Sequence, residues 1–307
     1  MFESGSHTPG VSAADFGVPP GMALRYERPA DAIARHVTSY VVMDSEPNGD
    51  IGTADWMLPS WSQIWIVFGS DPVALRIGNF HYPALPTATL MGPTSRAMPV
   101  TSNGGGAIVA DISPLGWGRL FRQPAARFAD RVVPLDTVMP AAVFANLLSE
   151  LNYPACVPDT KMILDRFFTE VLAYGYDDEP LVDAVMTAIM DDDLVDATSV
   201  ARRVGIDRRQ LLTLSHRYFG FPTTTLLLRA RFLKAMLPLM DTTSGADVRT
   251  IPPRYHDASH FNRDARRFLG TTPRRFLALH KPYCESAIRA RVAVLGSALS
   301  ALDFGRI

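Results

Sequence analysis

The sequence VARRVGIDRRQLLTLSHRY, residues Val200–Tyr218, predicts two helices joined by a short turn. Gly205 can adopt the left-handed conformation that ends a helix, and Asp207 can cap the helix that follows. We therefore expect the second helix to run from Arg208 to about Tyr218. A helix, a glycine-containing turn and a second helix form a helix-turn-helix, whose second helix enters the major groove of DNA.

Segments further along the chain extend this pattern. They are Phe219-Gly220, a long helix predicted over 224–240 with Arg229, Arg231 and Ala235, the sequence DASHFNR at 257–263, and the sequence FLGTTPRRF at 268–276. With them, residues 181–280 resemble the AraC/XylS family of transcriptional regulators. The resemblance implies an all-α domain in which one long helix joins two helix-turn-helix units. Their two recognition helices would then lie about one DNA turn (~34 Å) apart.

The same resemblance implies which side chains face DNA. The positions facing the major groove are Arg209, Leu212 and Thr213 in the first unit and Ser259, Asn262 and Arg263 in the second. Arg263 could read guanine and Asn262 adenine, each with ~1–3 kcal/mol of discrimination between bases. The arginines expected at phosphates, where they position the protein without reading sequence, are Arg208, Arg217, Arg266, Arg267, Arg274 and Arg275.

Several residues depart from the family pattern. Leu212 and Leu214 are apolar where polar or basic side chains are usual, and Ser215 and Ala265 occupy core positions that the family fills with phenylalanine. The segment Thr250–Tyr255 is shortened and contains two prolines where the first helix of the second unit should lie. Because proline in a helix interior costs ~3 kcal/mol or more, we expect this second unit to be degraded or rebuilt.

The charge is divided unevenly along the chain. Residues 1–180 carry 11 basic and 19 acidic side chains, whereas residues 181–307 carry 19 basic and 12 acidic ones. A basic C-terminal half on an acidic partner is typical of a DNA-binding domain joined to a sensing domain, although a chance asymmetry of surface charge would look the same.

The N-terminal half has the pattern of a β domain. Short runs rich in Val, Ile, Thr and aromatic residues predict strands at His36–Met43, Gln63–Phe68, Val73–Ile77, Ala88–Met91 and Ala107–Ile112. The fold class expected is α+β, with a β-rich, barrel-like (cupin-like) sensor domain at 21–135 and a helical connector at 136–178. The tandem helix-turn-helix domain follows at 179–282 and an accessory helix at 283–307. Residues 1–20 are rich in Gly, Ser and Pro and are expected to be a disordered tail.

Two apolar groups each allow two interpretations. Trp56, Trp61, Trp65 and Phe68 could line an effector pocket or form the core of the β domain. At the C-terminus, apolar side chains follow heptad spacing over two repeats, too few for an isolated coiled coil. That helix must dock on its own chain or on a partner. The heptad residues are Ile288, Val292, Leu295, Leu299 and Leu302.

Other features limit the classes of protein. The first residues lack a signal-peptide pattern and no apolar run reaches ~20 residues, so we expect a cytoplasmic protein without membrane contact. Cys156 and Cys284 are isolated, and His256 and His260 lack a third ligand, so neither a metal nor a cofactor is expected. Catalytic motifs are likewise missing, which argues against an enzyme.

The sequence as a whole predicts a sequence-specific, DNA-binding transcriptional regulator from a bacterium. Its expected partners are double-stranded promoter DNA, a small-molecule effector in the N-terminal domain, RNA polymerase and a second copy of the chain. The alternative is an AraC-like fold that has lost specific DNA binding and regulates through protein contacts.

Overall fold

The computed structural model describes residues 1–48, 52–69, 71–241 and 245–298. The strands within these residues all belong to the N-terminal half. They are β1 (Met22–Glu27), β2 (Val37–Ser45), β3 (Thr53–Met57), β4 (Ser62–Phe68), β5 (Ala74–Ile77), β6 (Phe80–Tyr82), β7 (Ala88–Met91), β8 (Met98–Ser102), β9 (Gly105–Ile112) and β10 (Val132–Pro134).

The strands form two antiparallel sheets that face each other. The larger has the order β1-β2-β9-β4-β7-β10 and the smaller the order β3-β8-β5-β6. All five strands predicted from sequence are present, with bounds that agree to within two residues, and five more were missed. The missed strands include β3 and β8, which pair in register from Thr53–Ser102 to Met57–Met98.

The central strands are apolar because both of their faces are covered. On β2, Tyr40 and Val42 pack on the helical side of the large sheet, whereas Val41 packs on the side that faces the small sheet. The same alternation holds on β9 for Ile108 and Val109. Successive side chains of a strand point to opposite faces, so a run of apolar residues contributes to two cores at once.

Helices cover the large sheet and make up the C-terminal half. They are α1 (Pro114–Leu120), α2 (Ala141–Glu150), α3 (Thr160–Val171), α4 (Glu179–Met190), α5 (Ala197–Val204), α6 (Arg208–Leu214), α7 (Thr223–Met240), α8 (Ala258–Leu269), α9 (Pro273–Leu277) and α10 (Pro282–Leu295). Helices α2 and α3 lie within the segment 136–178, where a helical connector is expected.

The first helix-turn-helix unit consists of α5 and α6, with the predicted turn between them. Gly205 has a φ of 79°, and the Asp207 carboxylate accepts the backbone N–H of Gln210 at 2.8 Å. The helix continues after α6 as a π-helical turn, Ser215–Phe219. Ser215, expected to leave a gap, is fully buried and its hydroxyl lies 2.6 Å from the Thr223 hydroxyl. This hydrogen bond satisfies a polar group that burial would otherwise destabilise.

The second unit consists of α8 and α9, and residues 245–257 contain no helix. Tyr255 is buried where this segment packs on α8. Its ring centroid lies 5.0 Å from that of Phe261, and its hydroxyl donates to Asp264 at 2.9 Å. One aromatic side chain in an irregular segment therefore supplies packing that a first helix would otherwise give, consistent with the two prolines in that segment.

Residues 1–20 are ordered and packed, so the prediction of a disordered tail is wrong. Gly5 bridges to Arg25 beside β1, and Phe16 is fully buried in a short 3₁₀ helix, Ala13–Phe16. The Arg289 side chain of α10 donates to the Phe16 carbonyl at 2.8 Å. The prediction failed because it followed the polar composition of the segment and gave no weight to Phe16, whose burial and contact with α10 hold the segment on the fold.

The accessory helix α10 docks on its own chain. It packs on β1, β3, the 3₁₀ helix at Ala13–Phe16 and α7, and it buries Ile288, Ala290 and Val294. The heptad interpretation is not supported by this packing, because Val292 and Leu295 are only half-buried and the helix ends at Gly296. Leu299 and Leu302 lie outside the described residues.

The β domain and the C-terminal region share one core, without a break near residue 178. Trp61 packs edge-on against Phe219 at 5.9 Å, and the backbone N–H of Ala97 donates to the Phe268 carbonyl at 2.6 Å. Gly220 approaches Pro93 so closely that a Cβ would lie 2.4 Å from the proline ring. Side-chain substitution at Gly220 would therefore force the two regions apart.

We predict that Tyr255→Ala lowers the free energy of unfolding by about 3 kcal/mol, because it removes a buried aromatic ring that replaces a helix. Tyr255→Phe should cost about 1 kcal/mol, since it loses only the hydrogen bond to Asp264. Urea denaturation measures both values. Ile251→Ala, on a side chain that is 47% exposed in the same segment, is the control and should be nearly silent. A silent Tyr255→Ala would contradict this role.

Candidate nucleic-acid interface

The first candidate recognition helix, α6, presents one short row of side chains to solvent. Arg209, Leu212 and Thr213 are spaced i, i+3, i+4, which places them on one helix face, and all three are exposed. Leu212 is 48% exposed. The opposite face is buried through Leu211 and Leu214. An exposed leucine beside an arginine can contact a thymine methyl group in the major groove.

The second candidate recognition helix, α8, repeats this spacing. Ser259 and Arg263 are exposed and Asn262 is half-buried, again at i, i+4 and i+3. Asp257 caps the helix by accepting the backbone N–H of His260 at 2.7 Å. Phe261, Ala265 and Phe268 lie on the buried face. Both helices thus carry three candidate base-reading residues near a capped N-terminus.

The arginines predicted to contact phosphates are all exposed, and none has an ion pair within the described part of the chain. Arg217 lies over the Tyr218 ring at 5.3 Å, and Arg267 reaches the Thr225 hydroxyl at 3.5 Å. Free guanidinium groups on one domain create the positive field that attracts a nucleic-acid backbone. The six are Arg208, Arg217, Arg266, Arg267, Arg274 and Arg275.

Helix α8 is fixed to α7 by a partly buried polar cluster. The Arg231 guanidinium donates to Asp264 at 2.6 Å and lies 3.2 Å from the His260 ring nitrogen Nε2. Phe268 stacks on Phe232 of α7 with ring centroids 5.2 Å apart. Charge-assisted hydrogen bonds of this kind are stronger than neutral ones, so they set the orientation of the recognition face.

Helix α7 is in turn anchored in the β domain by Arg229. Its side chain is fully buried, and Nη1 donates to the carbonyls of Ser60 and Thr94 at 3.0 and 2.8 Å. The guanidinium also lies 4.2 Å from the centre of the Trp61 ring. Burial lowers the pKa of Arg229 to about 9, which leaves the group charged at neutral pH.

A cavity of about 210 Å³ lies between the two sheets, and α7 and α10 form part of its wall. Its walls are largely apolar and include Trp56, Trp61 and Trp65. The tryptophans therefore belong both to the core and to a pocket. The sequence did not indicate that Leu237 of α7 and Ile288 of α10 complete the wall, because only the fold brings these helices to the sheets.

The polar groups of this cavity are mostly paired with one another. Asp111 accepts hydrogen bonds from Ser39 and Gln63, and the Arg291 Nε donates to the Tyr26 hydroxyl at 3.0 Å. Asp55 accepts the first backbone amides of α10, and burial raises its pKa to about 6 although these amides oppose the rise. The space left for a ligand is therefore mainly apolar.

Comparison with known proteins identifies the C-terminal region. A family model described as a helix-turn-helix domain matches residues 200–278. No curated protein sequence matches the chain. Among solved structures, ToxT from Vibrio cholerae is 13% identical with a TM-score of 0.43, over 78% of this chain and 97% of that one.

Two further structures are similar to the chain at low identity. A structure of ToxT from Vibrio cholerae described as bound to an unsaturated fatty acid is 11% identical with a TM-score of 0.43, over 85% of this chain and 96% of that one. CuxR, described as an AraC-like transcriptional activator, is 14% identical with a TM-score of 0.29, over 70% and 87%.

The helix-turn-helix match and the geometry of α5 and α6 define the class of protein: the chain is a DNA-binding transcriptional regulator. Its C-terminal region carries an AraC-type helix-turn-helix domain, which confirms the resemblance predicted from sequence. Within the described residues, no helix combines the length and apolarity needed to cross a bilayer, and no cluster of three metal-binding side chains occurs.

We predict that Arg263→Ala reduces the preference for the cognate duplex over a scrambled one by about tenfold or more, since one bidentate base contact gives ~1–3 kcal/mol of discrimination. Arg274→Ala, in the exposed first turn of α9, should weaken binding to both duplexes equally. Fluorescence anisotropy with both duplexes separates the two effects. The assignment of positions is wrong if both variants lose the same factor on each duplex.

Proposed function

We propose that this regulator binds promoter DNA sequence-specifically through α6 and α8. The observation that carries the proposal is the repeated row of side chains, Arg209, Leu212 and Thr213 on one helix and Ser259, Asn262 and Arg263 on the other, of which all but the half-buried Asn262 are exposed. The connecting helix α7 has 18 residues, which corresponds to about 27 Å at 1.5 Å per residue. That length is compatible with half-sites in successive major grooves.

The rebuilt second unit supports this proposal because α8 remains fixed on three sides. Tyr255 packs on it from the irregular segment, and Arg231 holds it to α7. The backbone N–H of Ala97 reaches its last turn from the β domain. A recognition helix needs a rigid support, and the β domain supplies part of it here.

The alternative, loss of specific DNA binding in favour of protein contacts, rested on the prolines, on Leu212 and on the C-terminal helix. The packing of Tyr255 weakens the first argument, and the arginines beside Leu212 weaken the second. The docking of α10 on its own chain weakens the third. A regulator that acts through DNA needs no catalytic group, so we propose no enzymatic activity.

We further propose that the cavity between the sheets binds a small, mainly apolar effector. Its wall combines the β domain with α7, which joins the two DNA-reading helices, so occupancy could be transmitted to α6 and α8. Helix α10 completes the wall with Tyr283, Ile288 and Arg291. A ligand would therefore contact both the sensing and the DNA-binding regions.

Action as a homodimer, contact with RNA polymerase and location in the cytoplasm of a bacterium stay predictions from the sequence. The half-sites of such regulators are read in pairs when the protein is dimeric. Sedimentation of the full chain with and without a cognate duplex tests the dimer directly.

The DNA-binding function is tested by a gel shift with the region upstream of the protein's own gene, at two salt concentrations. We expect binding about 10³-fold or more tighter than to a scrambled duplex, with affinity for both falling steeply as salt rises. Equal retardation of the two duplexes at both salt concentrations would contradict specific binding and favour the protein-contact alternative.

The effector site is tested with 1-aminoanthracene, a small apolar fluorescent probe. We expect the wild-type chain to bind one molecule, and Ala287→Trp to reduce its affinity about tenfold or more because the new ring fills the cavity from α10. Ala173→Trp, at an exposed position, is the control. Equal probe binding by both variants would show that the probe lies elsewhere.

A further inference from the structure

A second cleft, of about 690 Å³, lies between the β domain and the second helix-turn-helix unit. Five arginines line it. Arg76 and Arg96 come from β5 and the segment before β8, and Arg266, Arg267 and Arg275 come from α8 and α9. Among the described residues, neither aspartate nor glutamate lines this cleft. The cleft is therefore strongly cationic, and its charge comes from both regions of the chain.

These arginines lack partners that would neutralise them. All five are exposed, and within the described part of the chain none makes an ion pair. Among the described residues, their side chains make a single hydrogen bond, from Arg267 to the Thr225 hydroxyl at 3.5 Å. Like charges gathered around one cleft repel each other, and a bound anion would offset that repulsion.

The cleft continues the candidate DNA-reading face of α8. Arg266 lies seven residues after Ser259, two helical turns along the helix on the same face as Ser259, Asn262 and Arg263. The distance along the helix axis is about 10 Å. A duplex whose groove receives the start of α8 would therefore carry its backbone past Arg266 toward the β domain.

We propose that Arg76 and Arg96 contact phosphate groups of the bound DNA, together with Arg266, Arg267 and Arg275. The β domain is then part of the DNA-binding surface as well as a sensor. This inference rests on the proposed DNA-binding function and adds to it a group of residues outside the helix-turn-helix domain. The five arginines are exposed at the rim of the cleft rather than enclosed within it. This exposure favours contact with a DNA backbone over the binding of a small anion.

The test compares full-length R76A/R96A with R28A/R166A by fluorescence anisotropy on cognate and scrambled duplexes between 50 and 200 mM salt. The control removes the same charge from arginines that already pair with Asp31 and Glu150. We expect R76A/R96A to lose about tenfold in affinity on both duplexes and to flatten the plot of log affinity against log salt by about two. R76K/R96K should restore most of the slope.

Other outcomes overturn the proposal in distinguishable ways. If R76A/R96A matches the control in slope and affinity, the β domain does not contact DNA phosphates. A further measurement is the quenching of tryptophan fluorescence by inorganic pyrophosphate. If pyrophosphate quenches the wild-type chain but not R76A/R96A, and the variant binds DNA like the control, the cleft binds a free anion instead. If the wild-type chain does not prefer the cognate duplex at all, the proposed function itself fails, independently of the variants.

Discussion

The position of the DNA-binding region on the β domain depends on the contacts of the buried Arg229 side chain. A cation removed from water is destabilised unless other groups replace its hydration, and here the carbonyls of Ser60 and Thr94 and the ring of Trp61 replace part of it, while Nη2 makes no hydrogen bond among the described residues. Those groups belong to the β domain, whereas Arg229 belongs to the helix that joins the two DNA-reading units. Separating the regions would return the guanidinium and the two carbonyls to water, but it would also uncover the apolar surface between Trp61 and Phe219, and that exposure opposes separation. The two regions are therefore expected to move as one body.

In the proposed function, the β domain has two surfaces, one for an effector and one for DNA, and the two share a residue. Trp56 lines the apolar cavity and also the arginine-rich cleft, and its ring lies edge-on to Phe276 of α9 at 5.7 Å. A ligand that displaces the Trp56 ring would act on α9 and on the arginines beside it. Effector binding would then influence DNA binding through the contact between Trp56 and Phe276, without separation of the two regions.

The sequence predicted what depends on local pattern. Apolar alternation located β2, β4 and β9, and Gly205 with Asp207 located the turn between α5 and α6, because caps and periodicity are properties of neighbouring residues. It missed β3 and β8, which are short and interrupted by polar residues, and it placed a disordered tail where Phe16 is buried. The role of Arg229 could not be predicted, since its partners are backbone carbonyls that leave no trace in sequence. Arg76 and Arg96 were missed for a related reason. They are isolated arginines in a strand-rich part of the sequence, and only the fold brings them close to α8.

The central claim, that the β domain and the DNA-binding region form one cooperative unit, is tested most directly by following unfolding with two probes. All four tryptophans, at positions 56, 61, 65 and 117, lie in the N-terminal half, whereas helical circular dichroism reports largely on the C-terminal half. In urea, the two signals of the full chain should change at the same midpoint with the same slope, as a two-state transition requires. Two separate transitions, with the helical signal lost while tryptophan fluorescence stays native, would contradict the account.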